Sequence, residues 1–153
     1  MADAKPDLTA RQRRRAREVA FLLLFQADQG PTEFDQVIAA EREETDLPAD
    51  HYDWAAGLAR GAWAARRTND RLLDSLATGW AVARMGSAER SILRLAAYEI
   101  RERTDIPHGV SVNEAVELAK RYAEAEAPRF INGILGTLVR EHGRREPAPE
   151  GDG

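Results

Sequence analysis

Residues 9–30, TARQRRRAREVAFLLLFQADQG, decide how the rest of the chain is read. Thr9 and Gln12 stand three apart ahead of a long run without proline or glycine. That spacing is a capping box: the hydroxyl takes the third helical amide, and the longer side chain reaches back to the cap residue's own amide. It predicts a helix through Arg15 and Phe25 that stops at Gly30-Pro31. Two stripes run along this helix. Ala16, Ala20, Leu23 and Ala27 form one, suited to a core. Arg14, Glu18, Phe21 and Phe25 form the other, at i, i+4, i+7 and i+11. Two apolar stripes on one helix mean burial on two sides. Either the helix is the centre of a bundle, or Phe21 or Phe25 faces a partner protein.

Outward from this helix the helical period continues. Thr32 opens a shorter helix carrying Phe34, Val37 and Ile38, and the acidic stretch Glu41 to Asp46 reads as a loop. Pro48 suits a first helical turn. Trp54, Leu58, Ala62, Ala65, Leu72 and Leu76 recur at helical spacing and predict one long helix ending at Gly79, distorted near Asn69. Trp80 to Met85 reads as a short helical turn. Ser87 caps the next helix, which runs to about Arg103 with Ile92, Leu95, Ala96 and Glu99 on one face. Arg90, Arg94 and Arg101 alternate with them. Ile106-Pro107 breaks it. Ser111 with Glu114 reads as a second capping box, and Pro128 opens a last helix with Phe130, Ile131, Ile134, Leu135 and Leu138. No alternation of period two occurs. The expected fold is all-α, a compact bundle of about seven helices. Residues 1–8 read as a flexible lead-in, 9–145 as a single domain, and 146–153 as a disordered acidic tail.

Composition narrows the function classes. The chain has 153 residues, 43% of them hydrophobic, enough for a core without staples. It has no cysteine, which excludes disulfides and thiolate metal sites. No apolar run reaches the roughly 20 residues that span a bilayer. Val19 to Phe25 follows an arginine cluster as a signal peptide would, but no small-residue cleavage site comes after it. We read the chain as cytoplasmic, with no membrane association. His51, His108 and His142 are scattered and build no metal site. There is no GxGxxG, Walker or GxSxG motif. No nucleophile, base and orienting group assemble, so neither an enzyme nor a cofactor is expected.

Net charge is −4, but its distribution is uneven. Arg11, Arg13, Arg14, Arg15 and Arg17 cluster with no acid among them. In the run Arg13-Arg14-Arg15-Ala16-Arg17-Glu18, the expectation is that arginines within one and a half helical turns cannot all pair with protein acids. Their planar forks match phosphate oxygens. A helix N-terminus also disfavours cations. The alternative is a solubilising helix start. Further on, Arg129 and Phe130 are adjacent and offer one phosphate contact and one stacking ring; on spacing alone Phe130 is equally an ordinary core residue.

Five motifs in order resemble the NusB family of bacterial transcription antitermination factors. They are RRRARE at 13–18, ERSILRLAAYEI at 89–100, the Asp105-Ile106-Pro107 turn, VNEAVELAKRY at 112–122 and RFINGIL at 129–135. The resemblance implies two packed helical subbundles. It also implies a partner, the ribosomal protein that doubles as NusE, and a ligand, the single-stranded boxA element of nascent RNA. Together these would join the antitermination complex of RNA polymerase and support processive transcription of ribosomal RNA operons. By the same resemblance Arg13, Arg14, Arg15 and Arg17 fall at the RNA-contacting end. Arg129 and Phe130 fall where the last helix meets RNA, with Glu126 close to that surface. Glu89 and Phe25 fall at the partner interface. The sequence departs from the family's pattern at Phe25, where relatives carry tyrosine, at Ala123, where a glycine is frequent, and at Gly136, where an acid is common. Two rival readings stay open: a stand-alone relative of the N-terminal RNA-binding domain of RNA cytosine methyltransferases, and a helical interaction protein that binds no RNA. Oligomeric state, a homodimer included, is also left open.

Overall fold

The computed structural model describes residues 8–77, 79, 81–144 and 146. Among them are seven α-helices and no strand: α1 (Ala10–Gln29), α2 (Phe34–Glu44), α3 (Ala49–Ala64), α4 (Arg66–Leu76), α5 (Ser87–Glu102), α6 (His108–Tyr122) and α7 (Ala127–His142), with a 3₁₀ turn at Val82–Arg84. The all-α expectation holds. Helices α1, α2 and α3 pack on one another; α5, α6 and α7 form a second group that also carries α4. Both α1 and α3 lie on α5, which joins the two subbundles.

The start of α1 follows its local signal. Gln12 N–H donates to Thr9 Oγ1 at 3.1 Å and Thr9 N–H to Gln12 Oε1 at 2.8 Å, and the helix ends before Gly30. From Ala16 onward α1 is central: Ala16, Ala20, Phe21, Leu23 and Leu24 are all buried.

Other local signals were overridden by tertiary contacts. The acidic stretch expected as a loop is helical through Glu44, because glutamates propagate a helix well and Arg42 is tied to Asp53 at the start of α3, at 3.0 Å. The long helix expected up to Gly79 is two helices that part at Ala65, whose N–H is shared between the carbonyls of Gly61 and Trp63. Asn69, where a distortion was expected, is buried inside α4 with its carbonyl oxygen accepting from Arg101 at 2.6 Å. Gly79 lies beyond the end of α4, with φ at +82°, a left-handed turn residue. Ser87 caps nothing: its hydroxyl donates to Asp28 at 2.6 Å. The second capping box does not form either. Helix α6 begins after Pro107, three residues earlier, and Ser111 donates instead to Glu99 at 2.7 Å.

Where α3 crosses α5, Gly61 lies against the ring of Tyr98, and a Cβ at Gly61 would fall inside that ring. At the far end of the chain, the Arg144 guanidinium donates to the carbonyls of Arg103 and Ile106, and Glu146 accepts from His108 N–H at 2.8 Å. Of the lead-in expected at 1–8 and the tail expected at 146–153, residues 1–7 and 147–153 lie outside the described residues. So do Thr78, Trp80 and Arg145.

Candidate functional site

The basic end of α1 is the natural place to look for an anion site, and the structure corrects one expectation there. Each of its four candidate arginines has an acid. Arg13 reaches Asp105 at 3.5 Å, and Arg14 grips Glu114 with its closest bond at 2.8 Å. Arg15 reaches Asp46 at 3.0 Å and Glu18 at 3.4 Å. Arg17 holds Glu99 at 2.8 Å. These acids were invisible to a local reading because α5, α6 and the connecting loops supply most of them. The pairing also sorts the arginines. The Arg17 side chain is 4% exposed and Glu99 1%, so its fork is sealed inside the protein. Placing Arg17 among groups that touch RNA is corrected by that burial: phosphate cannot reach it. Arg13 is half-buried, its guanidinium 5.3 Å from the Trp54 ring centroid. Arg14 remains 66% exposed and Arg15 49%.

Two open grooves flank these side chains. One, of about 310 Å³, lies between α1 and α6 and is lined by Arg11, Arg14, Arg15 and Arg121 around Glu18, Glu114 and Glu117. The other, of about 700 Å³, carries Arg11, Arg13 and Arg14 along one side and Pro107, Gly109 and Asn113 along the other. Cations outnumber acids in both. Glu18 organises the first groove by accepting from Arg121 at 2.6 Å, from Tyr122 Oη at 2.6 Å and from Arg15. Burial and the Glu18 contact hold the Tyr122 phenol above its ordinary pKa. The hydrogen bond to Glu114 raises the Arg14 pKa, so its charge is permanent. Arg121 is the groove residue that sequence reasoning left out, and Arg11 was named in the basic cluster but not placed at the RNA-contacting end. Arg121 was findable: it stands seven residues after Glu114 on one face of α6.

The second candidate surface lies where α5 begins and α7 begins. Glu89, Glu124, Glu126, Ala127 and Phe130 line a cavity of about 280 Å³. Glu89, expected toward a protein partner, thus shares one cavity with Glu126 and Phe130, expected toward RNA. Phe130 is half-buried and packs against the core edge. Arg129 beside it is exposed. On α1, Phe21 is 1% exposed, its ring 4.8 Å from that of Tyr122. That overturns the reading of Phe21 as a partner contact. Phe25, 6.0 Å from Phe21, is the half-buried aromatic that reaches the surface.

Among the described residues no cluster of metal-ligating side chains occurs, and no helix is long and apolar enough to cross a membrane. Residues 14–140, which hold the Glu89–Phe130 surface and most of the α1–α6 one, match the NusB family. The chain belongs to the NusB family. It is 45% identical over 136 residues to the transcription antitermination protein NusB of Symbiobacterium thermophilum, covering 84% of this chain and 89% of that one. It is 40% identical over 136 residues to NusB of Desulfitobacterium hafniense, covering 88% and 92%. Among solved structures, T. maritima NusB superposes with a TM-score of 0.78 at 32% identity, covering 86% of this chain and 93% of that chain. A crystal structure of antitermination factors NusB and NusE in complex with double-stranded RNA superposes at 0.73 with 27% identity, covering 86% and 98%. NusB proteins are transcription antitermination factors and not enzymes.

Proposed function

We propose that this NusB-family chain is a cytoplasmic antitermination factor that binds boxA-type RNA in the grooves between α1 and α6, and binds NusE beside Phe25 and Glu89. The observation that carries this reading is the exposure of Arg11, Arg14, Arg15 and Arg121 around those grooves. Carboxylates hold the forks of Arg14, Arg15 and Arg121 in place while leaving donors for phosphate, and a preorganised fork loses less entropy on binding. The acid-ringed cavity at Glu89, Glu124 and Glu126 complements a basic ribosomal protein. Because Phe130 lines the same cavity, RNA and partner meet there, and each favours the other's binding. Residues 9–145 form the RNA-binding domain in this reading.

The test is a titration of labelled boxA-type RNA, single-stranded and double-stranded, against the chain alone and with NusE. Tighter binding of either form with NusE than without supports the proposal. RNA affinity that is low and indifferent to NusE for both forms overturns it.

A further inference from the structure

The basic start of α1 is not where positive charge is least compensated. Arg66, Arg67 and Arg71 on α4, with Arg101 beside it, reach no carboxylate of a described residue within 4.0 Å. Neighbouring acids are already engaged. Asp70 is taken by Arg94 at 2.7 Å, Asp35 by Arg60 at 3.3 Å, and Asp74 accepts the Val82 N–H at 2.6 Å. Arg67 and Arg71 stand one helical turn apart and are exposed. Like charges at that spacing oppose helix formation. Arg66 is fixed in place: its guanidinium lies 3.9 Å from the Trp63 ring centroid and donates to the Trp63 carbonyl at 2.8 Å. Trp63 in turn stacks on Phe34 at 5.3 Å. Burial, with Arg67 and Arg94 beside it, lowers the Arg66 pKa despite Asp70 and Asp28.

We propose that the outer face of α4 is a second RNA-contacting surface, which takes backbone phosphates of RNA flanking the segment held between α1 and α6. Position supports this. Asp28, at the far end of α1, faces Arg94 and lies in the surroundings of Arg66. Arg14 and Asp28 are about 20 Å apart along α1 at 1.5 Å per residue. A short RNA in the α1–α6 grooves does not reach α4, and a longer one does. The chemistry fits phosphate rather than bases: guanidinium forks are presented there, and the ring of Trp63 is already covered by Phe34 and Arg66. The inference rests on the RNA-binding reading for the identity of the polyanion, but α4 is tested separately.

The experiment uses the full chain and its Arg67→Ala/Arg71→Ala and Arg67→Lys/Arg71→Lys variants. Each is titrated by fluorescence anisotropy at several salt concentrations, against a boxA-type RNA of about 5 nucleotides, which spans about 17 Å at 3.4 Å each and stays near the low end of single-strand site sizes, and one of about 30. For the long RNA, the alanine variant should lose affinity several-fold, and its log–log salt slope should fall by about 1.4, two contacts at about 0.7 each. The short RNA should bind all three proteins alike, and the lysine variant should retain the slope. Unchanged long-RNA binding by the alanine variant overturns the proposal. So does an equal loss for both lengths, which would merge α4 with the first site. A loss of binding to polyglutamate with RNA binding intact overturns it in favour of an acidic protein. If the short RNA fails to bind the unmodified chain both alone and with NusE, the α1–α6 reading fails, and the long-RNA comparison still decides α4.

Discussion

Arg17 and Glu99 face each other across the α1–α5 junction through two hydrogen bonds of 2.8 and 3.1 Å, with Ser111 donating to the same carboxylate at 2.7 Å. The pair joins one subbundle to the other at the point where an RNA-binding arginine was expected. Buried ion pairs add little net stability when whole, because desolvation offsets their attraction. Removing one partner strands the other charge.

Arg17→Ala should therefore cost about 3–5 kcal/mol in denaturant unfolding, while the protein that stays folded keeps its RNA affinity. Unfolding curves and RNA titrations on the same preparation check this. A stable variant whose salt slope drops by about 0.7 would place Arg17 on a phosphate after all.

Replacing Arg11, Arg14 and Arg15 together by alanine should do the reverse. RNA affinity falls and the log–log salt slope flattens by about 2, three contacts at roughly 0.7 each, while the unfolding midpoint falls less than for Arg17→Ala, since these arginines are exposed and buried Glu114 and Glu18 keep Arg17, Arg121 and Tyr122 as partners. Titration at several salt concentrations, with a melting curve alongside, reads both quantities. An unaltered slope removes these side chains from the interface.

The cavity shared by Glu89 and Phe130 predicts two separable defects. Phe130→Ala should weaken RNA binding at a stability cost below about 3 kcal/mol, the lower edge of the range for core phenylalanine, because its ring is only half-buried. Glu89→Lys should weaken binding of NusE and leave the chain folded, which calorimetry measures directly. A Phe130→Ala chain that is strongly destabilised yet binds RNA normally would assign the ring to the core.

Stability should fall on the acid side. Burial alone would raise the Asp28 pKa, but hydrogen bonds from Arg90 and Ser87 and the nearby charge of Arg94 outweigh it and hold the carboxyl below its ordinary value. Arg103 does the same for Asp105 against burial. A carboxylate with a depressed folded pKa contributes stability that is fully present above its unfolded pKa, about 3.9. That contribution is lost as pH falls through the lower folded value. Unfolding free energy should be level near neutrality and decline below about pH 4. Asp28→Asn should flatten part of that decline and lower stability at pH 7 by about 3 kcal/mol, the cost of breaking a largely buried pair. A variant with the same acid profile as the original chain would remove Asp28 as a cause.

What the sequence disclosed about this fold divides by distance. Thr9 and Gln12 satisfy one another within one turn, so the start of α1 was readable, and Gly30-Pro31 and Ile106-Pro107 act on the backbone where they stand. Ser111 and Glu114 carry the same local spelling as a capping box, yet they answer to Glu99, twelve residues back, and Arg14, a hundred back. No window along the chain holds those partners. For the same reason the arginines of α1 read as unpaired, and Phe21 as equally able to face inward or outward. The family motifs marked the arginine-rich start as a whole, but only packing separated Arg17 from Arg14 and brought in Arg121.

Gly61 extends this to how such a protein is dissected genetically. A methyl group there collides with the ring of Tyr98, so either that ring or α3 itself must shift against α5, the same helix whose Glu99 anchors the arginine end of α1. A screen that scores loss of terminator read-through would return Gly61 alongside the arginines, although it touches no ligand. Functional maps of this fold will thus contain two populations. Salt titration separates them: a wedge in the helix packing weakens binding without changing the number of counterions released, whereas loss of a phosphate contact changes both.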